Sequence, residues 1–476
     1  MICAFDALLS EARSACRQER TRHRLRSHLL AQLACLGQHT ITGLLCAGGR
    51  PFGDWSADYR LYARERVDPA PLFEVVRQHV EQYLSPNQPL VVALDDSILR
   101  KRGRKIPGTA WRVDPLGAPF TISFTWAQRV IQMSAVLPLG TEGAARTLPI
   151  DFVQAPTPQR PRKNDPPEAW EQYRQLRKTL NINRQALTRI NRLIDSCSHQ
   201  SPGRPLWLTV DGRFTNSTMI KNLPPSSVLI GRIRGDAKLY GLAPLTPTGG
   251  RPRQYGPRLP TPAQLLAEES VPWQRVPAFA AGKRHDFRIK TLSPIKWRSA
   301  GILKELRLLV IAPLGYKLKK MGRTLYRKPA YLICTDPTIP VEQMLQAYIW
   351  RWGIEVNFRD EKTLIGVSQA HLRNPSSVTH QPATAVAAYA LLLAAAARAY
   401  GPQGLPDGLP PPAWRSSLQP RHASTASLIN QLRYELWSPN LHRHPFSSFK
   451  TQPPPFLKPQ KLSSNLASAV FYALAG

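Results

Sequence analysis

A segment in the last third of the chain carries charged residues at helical spacing. Residues 341–366 read VEQMLQAYIWRWGIEVNFRDEKTLIG, and their apolar residues recur at intervals of three and four, which predicts a helix. At roughly 100° per residue, four polar side chains of this helix fall within about 60° of one another: Tyr348, Arg351, Glu355 and Lys362. Burial of an unpaired charge is costly, so a carboxylate beside the apolar stripe needs ion-pair partners or a metal ion. The segment is either an amphipathic helix with spaced ion pairs or part of a metal site.

Aspartates follow two apolar runs that are typical of buried strands. Residues 90–94 (LVVAL) lead into Asp95 and Asp96, and residues 205–210 (PLWLTV) lead into Asp211. An aspartate after a strand is often only a turn residue. A strand is also a rigid mount for a metal ligand.

The order of the predicted elements brings these carboxylates together. Two strands (residues 119–126 and 130–137) and a long helix (168–196) lie between the first aspartates and Asp211, and a short helix and a strand (227–233) follow. With the Glu355 helix, this is the order of an RNase H-like α/β fold, a mixed sheet flanked by helices. In that fold the first strand, the fourth strand and a late helix meet at one edge.

Carboxylates without His or Cys suit hard ions, so Mg²⁺ or Mn²⁺ is predicted rather than zinc. Two such ions would support an in-line phosphodiester displacement.

The spacing Y-x2-R-x3-E-x6-K, from Tyr348 to Lys362, resembles the signature of bacterial insertion-sequence transposases of the DDE type. The resemblance implies that the catalytic metal ligands are Asp96, Asp211 and Glu355. Asp96 is preferred to Asp95 because the family has an aspartate followed by Thr or Ser, as in Asp96 and Ser97. Asp95 would then be a bystander or a supporting group.

The resemblance also implies DNA contacts from Tyr348, Arg351 and Lys362, although the two basic residues could simply neutralise Glu355. Basic residues after the first aspartates, including Arg102 and Lys105, lie where a DNA phosphate would approach the metal. Trp297 could stack on an extruded base, or be a buried structural residue.

The implied activity is cut-and-paste DNA transposition. Such an enzyme cuts at the terminal inverted repeats of its insertion sequence and joins them to target DNA, as a homodimer on paired ends. The alternatives are an RNase H-like endonuclease that does not transpose and an inactive DNA-binding descendant. We expect a cytoplasmic, nucleoid-associated bacterial protein.

Composition favours nucleic acid as the partner. The 476 residues include 64 Lys and Arg against 31 Asp and Glu, a formal net charge of +33. Such a chain attracts phosphate backbones, although an Arg-rich codon preference would also raise the charge. The six cysteines show no metal-binding spacing. The apolar run at residues 385–397 is short for a membrane span and predicts a buried core helix.

The sequence divides into five predicted parts. Residues 1–85 form a helical N-terminal domain, which either contacts DNA ends or is a solvated bundle. The RNase H-like core comprises residues 86–233 and 336–400, and a β-rich insertion at 234–335 separates its two parts. Residues 401–476 form a proline-rich basic tail with one docking helix near its end.

Overall fold

The computed structural model describes the chain except residues 115–116, 119, 141, 201–202, 245–252, 302–303, 318–321, 407–419, 438–468 and 471–476. The helices are α1 (Ile2–Glu11), α2 (Glu19–Ala34), α3 (Ile41–Ala47), α4 (Ser56–Ala63), α5 (Ala70–Glu81), α6 (Pro167–Thr179), α7 (Ile182–Gln200), α8 (Ser217–Lys221), α9 (Pro262–Ala267), α10 (Val341–Trp350), α11 (Trp352–Thr363), α12 (Pro375–Tyr400) and α13 (Thr425–Trp437). The strands are β1 (Leu90–Arg100), β2 (Thr109–Val113), β3 (Phe124–Pro138), β4 (Ala145–Gln154), β5 (Leu206–Val210), β6 (Ser227–Arg232), β7 (Leu239–Tyr240), β8 (Gln274–Ala280), β9 (Lys283–Trp297), β10 (Leu306–Ile311), β11 (Gly315–Lys317), β12 (Thr324–Tyr326) and β13 (Ala330–Cys334).

The centre of the main sheet has the strand order β4-β3-β1-β5-β6. Strand β1 pairs antiparallel with β3 and parallel with β5, and β5 pairs parallel with β6. Helices α10 and α11 contact one face of this sheet, while α5 and α7 share a hydrophobic core with the other face. This arrangement confirms the predicted RNase H-like mixed sheet flanked by helices.

Several predicted boundaries inside this core are wrong. Strand β1 continues past the aspartates to Arg100, because β3 pairs with it over that length after β5 has ended. The predicted strands 119–126 and 130–137 are largely one strand, β3, and β2 and β4 were missed. The predicted helix 168–196 is divided into α6 and α7, where the Asn181 side chain accepts a hydrogen bond from the Asn183 amide, 2.9 Å away.

The insertion is β-rich, as predicted, and it extends the core sheet. Strand β13 pairs antiparallel with β6, and β10 and β9 follow in order, so this sheet has 11 strands among the described residues. The insertion is therefore fixed to the core by backbone hydrogen bonds.

The N-terminal helices surround α12, whose 26 residues are mostly buried. Of the described residues, only this helix is long and apolar enough to cross a membrane, and 83% of its most apolar window is buried inside the protein. The burial agrees with the predicted core helix. Residues 1–85 thus share a core with α12, while the proposed domain boundaries remain predictions.

In the tail, α13 packs against α2 and α12. The docking helix expected near residues 467–474 lies outside the described residues, apart from 469 and 470.

Candidate active site

The two consecutive aspartates of β1 point to opposite faces of the sheet, because side chains alternate along a strand. Ala93 packs against Ile354 and Phe358 of α11. Ser97, four residues further on, accepts a hydrogen bond from Lys362 of the same helix, 2.6 Å away. Asp95 lies between them on this face, and the Arg351 Nη1 is 2.9 Å from its carboxylate. Asp95 therefore faces the helix that carries Glu355.

Asp211 follows β5 directly, one residue beyond the last parallel pair, Leu94 with Val210. Its Oδ1 accepts hydrogen bonds from the amides of Arg213 at 2.9 Å and Phe214 at 3.3 Å. Because β1 and β5 run in parallel, Asp95 and Asp211 come to the same edge. The proximity is visible in the electrostatics, since the negative charge of Asp211 raises the pKa of Asp95.

Glu355 lies one turn after Arg351, and its Oε1 is 3.5 Å from the guanidinium. The predicted single helix is interrupted here: the Arg351 amide donates to the Tyr348 carbonyl, a tighter turn than in an α-helix. The apolar spacing of the predicted helix, through Leu345, Ile349 and Trp352, predicts that Trp352 lies on the buried stripe. The break changes the helix phase, and Trp352 is 64% exposed.

The back of α11 is fixed to β4. Asn357 accepts a hydrogen bond from the Thr147 hydroxyl at 2.8 Å and donates to the Thr147 carbonyl at 3.0 Å. Gly353 permits this approach, since a Cβ there would lie 2.5 Å from the Thr147 methyl group. These contacts hold the first turn of α11, and with it Glu355, close to the sheet.

Negative charge accumulates around Asp95. Burial chiefly, then the charges of Asp211 and Glu355, raise its pKa to about 7, although Arg351 opposes the shift. Among the described residues, no group of three His, Cys, Asp or Glu side chains is placed to hold an ion without rearrangement. Arg351 instead contacts both Asp95 and Glu355. Carboxylate oxygens without nitrogen or sulfur donors are the ligand type that hard divalent cations prefer.

Tyr348 and Lys362 frame these carboxylates. The Arg351 guanidinium lies 5.8 Å from the centre of the Tyr348 ring, and burial raises the pKa of this phenol. Burial lowers the pKa of Lys362. The structure thus places Tyr348 beside Arg351, and Arg351 and Lys362 against β1.

Asp96 has different surroundings. Its Oδ2 lies 3.2 Å from Nη1 of Arg213. Burial chiefly, and also the charge of Asp211, raise the pKa of Asp96, while the charges of Arg213, Arg129 and Arg112 oppose the rise. Arg129 is two residues from Ile131, the partner of Asp96 on β3, and so projects from the same face as Asp96. This face is opposite to α11.

Comparison with known proteins identifies the family. A family model described as DDE superfamily endonuclease matches residues 13–298, more than half of the 476 residues. The chain belongs to this family. DDE endonucleases act on DNA and generally use divalent metal ions. The matched span includes the aspartates of β1 and Asp211 and ends before Glu355. No curated protein matches the chain.

The loop after β1 gives this endonuclease an exposed basic surface. Arg102 and Lys105 are exposed, and their contact with a DNA phosphate stays a prediction. Lys101 is buried instead, and its Nζ donates to the carbonyls of Ser368 and Ala370, each 2.8 Å away. Lys101 therefore ties the start of this loop to the segment after α11.

Trp297, the residue considered for stacking on an extruded base, is partly buried in the fold. Trp297 ends β9, lies opposite Leu239 of β7 and packs partly buried against the main core. Trp352, next to Arg351 at the start of α11, is exposed. Trp352 is not among the predicted site residues, because the apolar spacing of the helix predicts it in the core.

Proposed function

We propose that this DDE endonuclease is a DNA transposase that cuts at the ends of an insertion sequence and joins them to target DNA. The observation that carries the proposal is the Tyr348, Arg351, Glu355 and Lys362 spacing on α10 and α11, which lie against the edge where β1 and β5 carry aspartates. Its substrates would be terminal inverted repeats and target DNA. It would act as a homodimer on paired ends, in the bacterial cytoplasm at the nucleoid.

We assign the metal ligands to Asp95, Asp211 and Glu355. Asp95 replaces Asp96, the residue preferred from sequence, because Asp95 shares a sheet face with the Glu355 helix. Bound Mg²⁺ or Mn²⁺ would activate a water or 3′-hydroxyl nucleophile and stabilise the leaving oxygen.

The basic residues of the signature position the DNA. Without a bound cation, Arg351 pairs with Asp95 and Glu355. When a cation neutralises these carboxylates, Arg351 is free to donate to a phosphate oxygen. Lys362 holds a second positive charge along β1, at Ser97. Tyr348 orients Arg351 through the contact with its ring.

The test is cleavage of a supercoiled plasmid that carries the DNA flanking the gene. Wild type should cut at the element ends only with Mg²⁺ or Mn²⁺ and give strand-transfer products. Asp95→Asn, Asp211→Asn and Glu355→Gln should each abolish cutting while the proteins stay folded. Glu342→Gln, at an exposed site on α10, is the matched control.

The products separate the competing functions. Nicking without strand transfer would indicate an endonuclease that does not transpose. Binding without cutting would indicate an inactive descendant. Cutting that survives all three substitutions would overturn the site and the transposase proposal together.

A further inference from the structure

The face of β1 opposite the proposed metal ligands carries an excess of arginine. Arg129 on β3 and Arg112 on β2 project from this face, and Arg213 reaches it from the turn after β5. The Arg213 guanidinium contacts the Asp96 carboxylate, and the charges of Arg129 and Arg112 also act on it. Burial chiefly, then the positive charges of Arg112 and Arg213, lower the pKa of Arg129. Asp211 is a second carboxylate whose charge acts on Asp96, so three positive charges face two negative charges and leave an excess of one.

Other arginines of the same face have their own carboxylates. Arg100 donates to both oxygens of Asp114, at 2.9 and 2.7 Å. Arg189 of α7 is bidentate with Asp151 of β4. Within the described part of the chain, the negative charge of Asp96 acts to raise the pKa of both Arg112 and Arg129. The charge excess is therefore local to this cluster.

Arg112 also has donors without acceptors. Its Nη1 donates to the Thr157 hydroxyl at 2.7 Å, whereas its Nε and Nη2 are buried without a partner among the described residues. A buried guanidinium N–H without an acceptor is costly, so this geometry favours an external anion. Arg129 is held beside it by a hydrogen bond from its Nε to the Ala155 carbonyl, at 3.2 Å.

We propose that Arg112, Arg129 and Arg213 bind a phosphate of the DNA backbone, with Asp96 as the internal counter-ion that the phosphate displaces. Guanidinium forks match a phosphate in geometry and charge. The Arg213 side chain is 54% exposed, so the cluster opens to solvent at the sheet edge next to Asp211. The DNA strand would thus be held at a phosphate other than the one being cut. This inference rests on the family's action on DNA and not on strand transfer.

The test is DNA binding without divalent metal, so that cleavage plays no part. A fluorescent duplex is titrated with protein in EDTA at several KCl concentrations, and the dissociation constant is taken from anisotropy. Arg112→Gln and Arg129→Gln should each weaken binding about tenfold at low salt, and their combination should reduce the salt slope by about 0.9 per lost phosphate contact. Arg100→Gln, which removes the same charge from a paired arginine, should change affinity less than twofold.

Asp96→Asn should change the DNA affinity in the opposite direction. If Asp96 competes with phosphate, its neutral replacement should tighten binding about threefold or more. Arg213→Gln, at the exposed site, provides the same test as Arg112→Gln if the buried variants do not fold. Equal losses in Arg100→Gln and the cluster variants, or weaker binding by Asp96→Asn, would overturn the phosphate site. A protein that passes these binding tests but cuts no DNA would overturn the proposed activity alone.

Discussion

Replacement of Asp95 by Asn should stabilise the metal-free protein while removing its response to metal. The pKa of Asp95 rises from 3.8 to about 7, and this net shift already includes the attraction of Arg351. At about 1.4 kcal/mol per pH unit, ionisation of Asp95 costs the folded state about 4 kcal/mol. A neutral amide does not incur this cost.

The pH dependence has a definite sign. Below pH 3.8 the carboxyl is protonated in both the folded and the unfolded protein, so the variant gains nothing. The gain develops between pH 3.8 and about 7, where only the unfolded state ionises, and is complete above pH 7. Urea unfolding in EDTA should therefore show Asp95→Asn more stable than wild type by about 1 kcal/mol at pH 4.5 and by about 4 kcal/mol at pH 8.

The same samples test metal binding. Mg²⁺ or Mn²⁺ at about 100 times its dissociation constant should stabilise wild type by about 2.7 kcal/mol, and should stabilise Asp95→Asn far less. Asp96→Asn is the comparison variant, since its side chain lies on the other face of β1. The reasoning is refuted if the stability gain of Asp95→Asn does not change with pH, or if Asp96→Asn rather than Asp95→Asn abolishes the metal response.

Further substitutions test the supports of the site. Glu361 is fully buried beside Gln132, with one carboxylate oxygen unpartnered among the described residues and a pKa raised to about 8, chiefly by burial. Glu361→Gln should thus stabilise the protein by up to about 3 kcal/mol at pH 7 and by little at pH 4.5, as measured by urea unfolding against the exposed control Glu342→Gln. Gly353→Ala places a methyl group 2.5 Å from Thr147 and should cost about 1–3 kcal/mol of thermal stability and displace Glu355, so that cleavage falls; equal cleavage would contradict the role of this contact. Lys362→Gln should weaken duplex binding about tenfold in anisotropy titrations, whereas Ser97→Ala, which loses only the 2.6 Å hydrogen bond, should bind nearly as wild type.

The sequence predicted the fold well where apolar runs are continuous. The strands that carry the aspartates read as LVVAL and LWLTV, and both are buried. The break predicted at residues 127–129, between the two predicted strands, was wrong. It was predicted because Gln128 and Arg129 are polar, but both belong to β3. Gln128 is buried and donates to the Pro107 carbonyl at 2.8 Å, and Arg129 donates to the Ala155 carbonyl at 3.2 Å. These partners are distant in sequence, so polarity alone could not show that the strand continues.

Strand β4 was missed for a related reason. Its pairing with β3 shifts register between Met133 and Ser134, and it contains Pro149 and the charged Asp151. Proline and an acidic residue weaken any strand pattern. In the fold, Asp151 pairs with Arg189 of α7, which allows it to be buried. An ion pair with a distant segment therefore helps to stabilise this strand. The residue pattern of one segment cannot reveal such a pair.

The choice between Asp95 and Asp96 shows where sequence reasoning ends. Adjacent residues of a strand always face opposite sides, so one of the pair had to point away from the helix that carries Glu355. Which one does so depends on the register between β1 and α11, set by Ala93 against Phe358 and by Ser97 against Lys362. On one face of β1, Arg351 contacts both Asp95 and Glu355. On the other face, Asp96 contacts Arg213 and is acted on by the charges of Arg129 and Arg112. A cation suits the first face and a phosphate suits the second. The Asp-Asp dipeptide would thus join the proposed metal site to the proposed DNA contact through one rigid strand, so that DNA held on one face is positioned relative to the ligands on the other.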